Sequence, residues 1–240
     1  MRLQSAIRAI YPAQCVACDA PTESDFGLCG GCWGKTHFIN GLICDTCGAP
    51  QMGEDLGDIV QCDDCMTIAR PWQKGRAALV YKDIGRRLVL ALKHGDRTEL
   101  QLTAGRWMAQ AGKDLVTPDT YVVPVPLHWS RLIRRRYNQS ALLSAVVAKQ
   151  LGLAHCPDAL RRTLRTKPLD GHSKDARFAA LADAITHHPR RTQVLQDAKI
   201  LLVDDVMTSG ATMAACAQAC YDAGAQSVRV LTLARVVKDA

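Results

Sequence analysis

No stretch of these 240 residues approaches the roughly 20 consecutive apolar residues that a bilayer-spanning helix needs, which argues against membrane insertion. Met1 to Tyr11 carries Arg2 and Arg8 with no apolar core behind them, so no secretory leader is expected and a cytoplasmic protein is predicted. Two phosphate-binding signatures are missing as well. No Gly-x-Gly-x-x-Gly opens a helix, and Gly34-Lys35-Thr36 has Cys29 where a nucleotidase loop requires glycine and has no apolar strand before it. These absences exclude a Rossmann dinucleotide protein and a P-loop nucleotidase. Basic charge is scarce at the start of the chain: residues 1–70 hold four Lys/Arg against nine Asp/Glu.

Cysteine is what that segment has instead. Eight of the 11 cysteines form four Cys-x-x-Cys pairs, Cys15/Cys18, Cys29/Cys32, Cys44/Cys47 and Cys62/Cys65. Each pair lets one tight knuckle aim two thiolates at a tetrahedral zinc, and two knuckles complete a four-sulfur shell. A disulfide framework would require export, and a redox motif would not occur four times outside a βαβ unit. Two closed structural Zn²⁺ sites are therefore expected in a module spanning 1–70, with Cys15, Cys18, Cys29 and Cys32 on one ion and Cys44, Cys47, Cys62 and Cys65 on the other. Interleaved pairing satisfies the same spacing. Four-thiolate zinc makes this segment more acidic still, so a partner platform or a cap on the next domain is favoured over a direct grip on nucleic-acid phosphates. Cys156, Cys216 and Cys220 lie apart from the pairs; the last two, four residues apart, read as small core residues on one helix face.

Residues 71–240 alternate strand and helix patterns, which predicts an α/β domain with a mainly parallel sheet. Strands are expected at 75–81, 121–126, from 161, around 200–203 and at 227–234; helices at 84–93, 99–111, 138–151, 174–185 and 213–222. Ile200 to Val203 is an unbroken apolar run, the mark of a strand buried on both faces, and it places Asp204 and Asp205 at its carboxyl end. Met207, Thr208, Ser209, Gly210, Ala211 and Thr212 follow, small and hydroxyl-rich, just before a helix whose unpaired donors attract anions. Between His128 and Arg191 stand 13 Lys/Arg against four Asp/Glu, concentrated at Arg131, Arg134, Arg135 and Arg136 and at Arg161, Arg162, Arg165 and Lys167. Those arginines suit a solvated face, a nucleic-acid patch, or a polyphosphate whose second anchor is the 204–212 segment, and these uses are compatible.

Val203 to Thr212 resembles the phosphoribosyl diphosphate (PRPP) loop of type I phosphoribosyltransferases. The resemblance implies that Asp204 and Asp205 hold the ribose hydroxyls, that Met207 to Thr212 hold the 5′-phosphate, and that Mg²⁺ accompanies the ligand. Pro124-Val125-Pro126-Leu127-His128 is similar to the family's pyrophosphate turn, which makes Leu127, His128 and Arg131 the pyrophosphate residues. The order of the four cysteine pairs, Leu92-Lys93-His94-Gly95-Asp96, the proline-rich turn, Arg-Tyr-Asn-Gln at 136–139 and the PRPP loop resembles the ComF/GntX family. Its members are bacterial and cytosolic, and the resemblance implies a link to uptake of single-stranded DNA, a double zinc ribbon and competence-machinery partners. Three departures from the family pattern, Arg136 and Tyr137 in the turn, Leu169, and Ala180, bear on closure of a loop from Arg165 to Lys174 over the ligand. Lys93 and His94 are candidate acceptor-side groups by position.

Overall fold

The computed structural model describes residues 12–23, 25–94, 97–164 and 184–237. In the cysteine-rich segment two short helices, α1 (Gly30–Gly34) and α2 (Asp63–Thr67), each follow directly on a cysteine of a knuckle. The larger region runs β1 (Gly75–Val80), α3 (Asp83–His94), α4 (Leu100–Ala111), β2 (Thr120–Pro124), α5 (Trp129–Arg135), α6 (Gln139–Leu151), β3 (Ala154–His155), β4 (Leu160–Arg162), β5 (Ile185–His187), α7 (Thr192–Leu195), β6 (Lys199–Met207), α8 (Ala211–Asp222) and β7 (Ser227–Arg235).

Five strands form one sheet in the order β1-β7-β6-β2-β3, and every pairing in it is parallel. β4 and β5 make a separate antiparallel ribbon. The period of two divides β6 between two cores. Leu201 and Val203 pack with Leu88, Met108, Leu143 and Val147 of α3, α4 and α6, while Ile200 and Leu202 pack with Met213, Cys216 and Cys220 of α8. Both faces are thus covered by helices, as an all-parallel sheet requires.

The cysteine clusters follow the same division. Cys15, Val16 and Cys32 join the core under α3 and α4, whereas Cys44, Cys47, Cys65 and Trp72 join the one under α8. The N-terminal segment is therefore packed into both layers.

Several expected elements differ. β6 does not stop at Val203 but continues to Met207, because β7 pairs with it as far as Met207↔Arg235. α5 was not expected; Leu132 and Ile133 face outward on it, so no apolar stripe announced it. Ile185, read as the end of a helix, opens strand β5 instead and pairs with Arg162. The helix expected from Lys174 and the loop from Arg165 to Lys174, with Leu169 and Ala180, lie outside the described residues, as do Gly95 and Asp96. Among the described residues no helix is long and apolar enough to cross a membrane.

Candidate ligand site at the carboxyl edge of the sheet

β2 pairs with β6 only through Pro124↔Val203, with one further bond from the Val125 N–H to the Val203 carbonyl at 2.9 Å. Beyond that point β6 has β7 on one side and, among the described residues, no strand on the other. Asp204 and Asp205 occupy this stretch, still within the strand, which corrects their expected place at its end and fixes their backbone on the β7 side. The chain then turns through Thr208 and Ser209 to Gly210, whose φ of +83° is left-handed backbone that glycine adopts without strain. Gly210 caps α8. Ala211 and Thr212 are already helical, one or two residues earlier than expected. Among the described residues no backbone carbonyl accepts from the N–H of Thr208, Ser209 or Gly210, so donors collect at the helix entrance.

The two acids differ. Asp204 Oδ1 accepts from the Ser140 hydroxyl at 2.7 Å and from the Asp205 N–H at 2.9 Å. Burial first, then the Asp205 charge, pushes the Asp204 carboxyl up to about 7, against the opposing pull of Ser140 and Lys93. Asp205 is 3% exposed; its Oδ1 lies 3.0 Å from Lys93 Nζ, and its Oδ2 is buried with no hydrogen-bond partner among the described residues. A buried acceptor oxygen without a donor is costly unless something fills the place. Lys93 enters from the last turn of α3. Neighbouring His94 is held below its ordinary value by burial and then by Arg135.

Leu127 and His128 follow the carboxyl end of β2, and Arg131 lies in the first turn of α5. His128 is buried and caps α5, its Nδ1 accepting from the Ser130 N–H and lying 2.8 Å from the Ser130 hydroxyl. Leu127 and Arg131 are partly buried. Asn138 donates to the Val125 carbonyl and caps α6, which ties the Tyr-Asn-Gln turn to the proline-rich segment. Arg162, expected as part of the second basic cluster, stands on β4. Burial, and then the charge of Arg131, lowers its guanidinium below the ordinary value, and Asp204 acts on it in the opposite sense. Arg131 and Arg162, one from each basic cluster, are thus within electrostatic reach of each other, and Arg162 is within reach of Asp204. Ser140 was missed because a serine in a helix has no distinguishing spacing.

The sulfurs of Cys15, Cys18, Cys29 and Cys32, and those of Cys44, Cys47, Cys62 and Cys65, all lie within 4.8 Å of one another in their respective sets. Cys18–Cys29 and Cys47–Cys62 are 3.6 Å apart. Tetrahedral zinc with sulfurs at about 2.3 Å gives sulfur separations of about 3.8 Å. Both sets fit structural zinc, and the pairing is sequential.

The chain matches the double zinc ribbon domain family over residues 6–66 and the phosphoribosyl transferase domain family over residues 139–239. DNA utilization protein YhgH of Salmonella typhimurium is 30% identical over 233 residues, covering 94% of this chain and 98% of that one. Competence protein F of Haemophilus influenzae is 26% identical over 216 residues, 87% of this chain and 90% of its own. Competence protein ComFC of Bacillus subtilis is 25% identical over 248 residues, 94% and 96% of the two chains. The chain belongs to the ComF family. In this ComF-family chain the ribbon is continuous with the phosphoribosyltransferase-like sheet, since its cysteines share the sheet's two cores. Among solved structures, the allosteric regulatory enzyme of purine biosynthesis overlies 60% of the chain and 30% of its own at TM-score 0.41 and 13% identity, too distant to add to the strand order above.

Proposed function

We propose that the open edge beside β6 binds PRPP with Mg²⁺ and transfers its phosphoribosyl group to a nitrogen acceptor. The observation that carries this reading is Asp205 Oδ2, without a hydrogen-bond partner among the described residues, buried next to Asp204 and three residues before the donor-rich 208–210 loop. Sugar hydroxyls supply the donors such an oxygen lacks. Asp204 and Asp205 hold the ribose, Met207, Thr208, Ser209, Gly210, Ala211 and Thr212 hold the 5′-phosphate, and Leu127, His128 and Arg131 hold the pyrophosphate with Arg162 behind them. Mg²⁺ suits this set of hard oxygens and would lower the charge on the leaving pyrophosphate.

In the reaction the C1–oxygen bond to pyrophosphate breaks and a C1–nitrogen bond forms through an oxocarbenium-like state. Asp204 and Asp205 face the ring as positive charge develops on it. Lys93 balances the Asp205 charge. The test is titration calorimetry with PRPP and Mg²⁺, followed by pyrophosphate release with a panel of nitrogen nucleophiles, for wild type and the Asp204→Ala/Asp205→Ala protein. Binding and release lost in the double variant support the site; release that persists unchanged refutes it. Binding without release identifies a PRPP sensor or scaffold.

A second reading places single-stranded DNA on α5, in a cytoplasmic protein working beside the competence machinery. Trp129 is 65% exposed and Ile133 72% exposed on this helix, which ends in Arg134 and Arg135 and is capped by Arg136. Bases stack on exposed rings while arginines track the backbone. Salt-dependent binding weakened by neutralising Arg134 to Arg136 supports it; indifference to those changes counts against it.

A further inference from the structure

The phosphate loop rests on the second cysteine cluster. A loop that turns its N–H groups toward an anion turns its carbonyls the other way, and those carbonyls need donors of their own. Here arginines supply them. Arg235 Nη1 donates to the carbonyls of Met207 at 3.1 Å and Thr208 at 2.7 Å, and Arg70 Nη1 donates to Ser209 at 2.5 Å.

Arg70 comes from the end of the cysteine-rich segment, and what holds it leads back to the knuckle between Cys44 and Cys47. Its guanidinium lies 5.5 Å from the centre of the Trp72 ring, in cation–π range. Trp72 is buried, and its indole N–H donates to the Thr46 carbonyl at 2.6 Å. The fit around this chain of contacts is tight. A Cβ on Gly210 would stand 2.8 Å from Arg70 Nη1 and 3.1 Å from Trp72 Cη2, while a Cβ on Gly75 would stand 2.4 Å from the Thr46 carbonyl oxygen. The knuckle, the tryptophan, the arginine and the loop are therefore in contact in series, with no room for water between them at Gly210.

We propose that Arg70 is a positioning residue for the phosphate loop, and that metal held by Cys44, Cys47, Cys62 and Cys65 positions Arg70 through Thr46 and Trp72. Capture of a phosphate ester at residues 208–212 and retention of that one metal ion are then coupled. The coupling is reciprocal, so the ligand tightens the metal as the metal tightens the ligand. The first cluster, on the opposite face of the sheet, takes no part. This rests on the loop being a phosphate site, as proposed above.

The experiment uses full-length, zinc-loaded protein and two probes, ribose 5-phosphate alone and PRPP with Mg²⁺. In wild type, Arg70→Met, Arg70→Lys and Trp72→Phe, calorimetry gives the Kd, while metal analysis and thermal unfolding report integrity. Loss of one charge-assisted hydrogen bond predicts a Kd raised about tenfold in Arg70→Met, with zinc content unchanged and partial recovery in Arg70→Lys. Trp72→Phe, which keeps a ring but loses the indole N–H, falls between and carries the test if Arg70→Met does not fold. In wild type, saturating ribose 5-phosphate makes one of the two zinc ions harder for a chromophoric chelator to remove; in Arg70→Met it does not. Wild type that binds both probes, beside an Arg70→Met protein of unchanged affinity and unchanged zinc protection, overturns the inference and leaves the site intact. Wild type that binds neither probe removes the phosphate reading and this coupling with it.

Discussion

Replacing Asp204 by asparagine tests the electrostatics of the edge without disturbing its geometry. Both hydrogen bonds to this side chain, from the Ser140 hydroxyl and the Asp205 N–H, go to Oδ1, so an amide oxygen in the same place keeps both. What changes is charge. Wild-type Asp204 titrates near 7 in the fold instead of at the ordinary 3.8, chiefly through burial and then the Asp205 charge. Its folded pKa lies above its unfolded one, so this group favours the fold least when ionised. The wild type is penalised progressively as pH rises from about 4 to about 7, and the penalty is level above that. A shift of this size corresponds to at most about 4 kcal/mol, and halving it for relaxation and water entry leaves about 2 kcal/mol. For a chain of this length that is a rise in Tm of roughly 6 °C. Thermal unfolding of zinc-loaded wild type and Asp204→Asn should therefore show a gain of about 2 kcal/mol near pH 8 that shrinks below about 1 kcal/mol near pH 5. Because each pH is read as a difference between variants, acid lability of the cysteine clusters cancels. A variant no more stable than wild type near pH 8 would refute the reasoning. The same protein should lose affinity for PRPP, the usual exchange between stability and function at a strained site.

Gly210→Ala places a side chain at φ +83° and against Arg70, so it should lower stability by about 1–2 kcal/mol and weaken ribose 5-phosphate binding, read by unfolding and calorimetry. A variant as stable as wild type would mean the loop yields freely. Removing metal by chelation should broaden and lower the unfolding transition by well over about 10 °C, since structural zinc supplies folding free energy and both clusters lie in the cores flanking the sheet. An unchanged transition would show that the clusters are ornaments to the fold. Trp129→Ala should weaken single-stranded DNA binding by about 1–3 kcal/mol while leaving PRPP affinity alone, measured by fluorescence anisotropy across a salt series. Equal loss of both ligands would place Trp129 in the sugar site.

Local chemistry, spaced regularly along the chain, is what the sequence alone determined. Four Cys-x-x-Cys pairs foretold two tetrahedral sulfur sets because a knuckle is built from adjacent residues. The run from Ile200 to Val203 foretold a strand covered on both faces, and the helix expected at 138–151 formed as α6, closed by Asn138 and Gly152, because caps are local devices. The small, hydroxyl-rich composition of residues 208–212 was legible for the same reason. Pairing between distant segments decided the rest. Where β6 ends depends on how far β7 accompanies it, so the acids sit inside a strand and open on one side only because β2 departs at Pro124. Burial and neighbouring charge, not residue type, raise the Asp204 carboxyl, and Ser140 reaches Asp204 and Lys93 reaches Asp205 from two different helices. The sequential sharing of cysteines, the division of the two clusters between opposite faces and the contact of Arg70 with Ser209 likewise depend on residues brought together across the fold. Composition and periodicity report what a residue can do; which group stands 3 Å from it is settled only when the layers close.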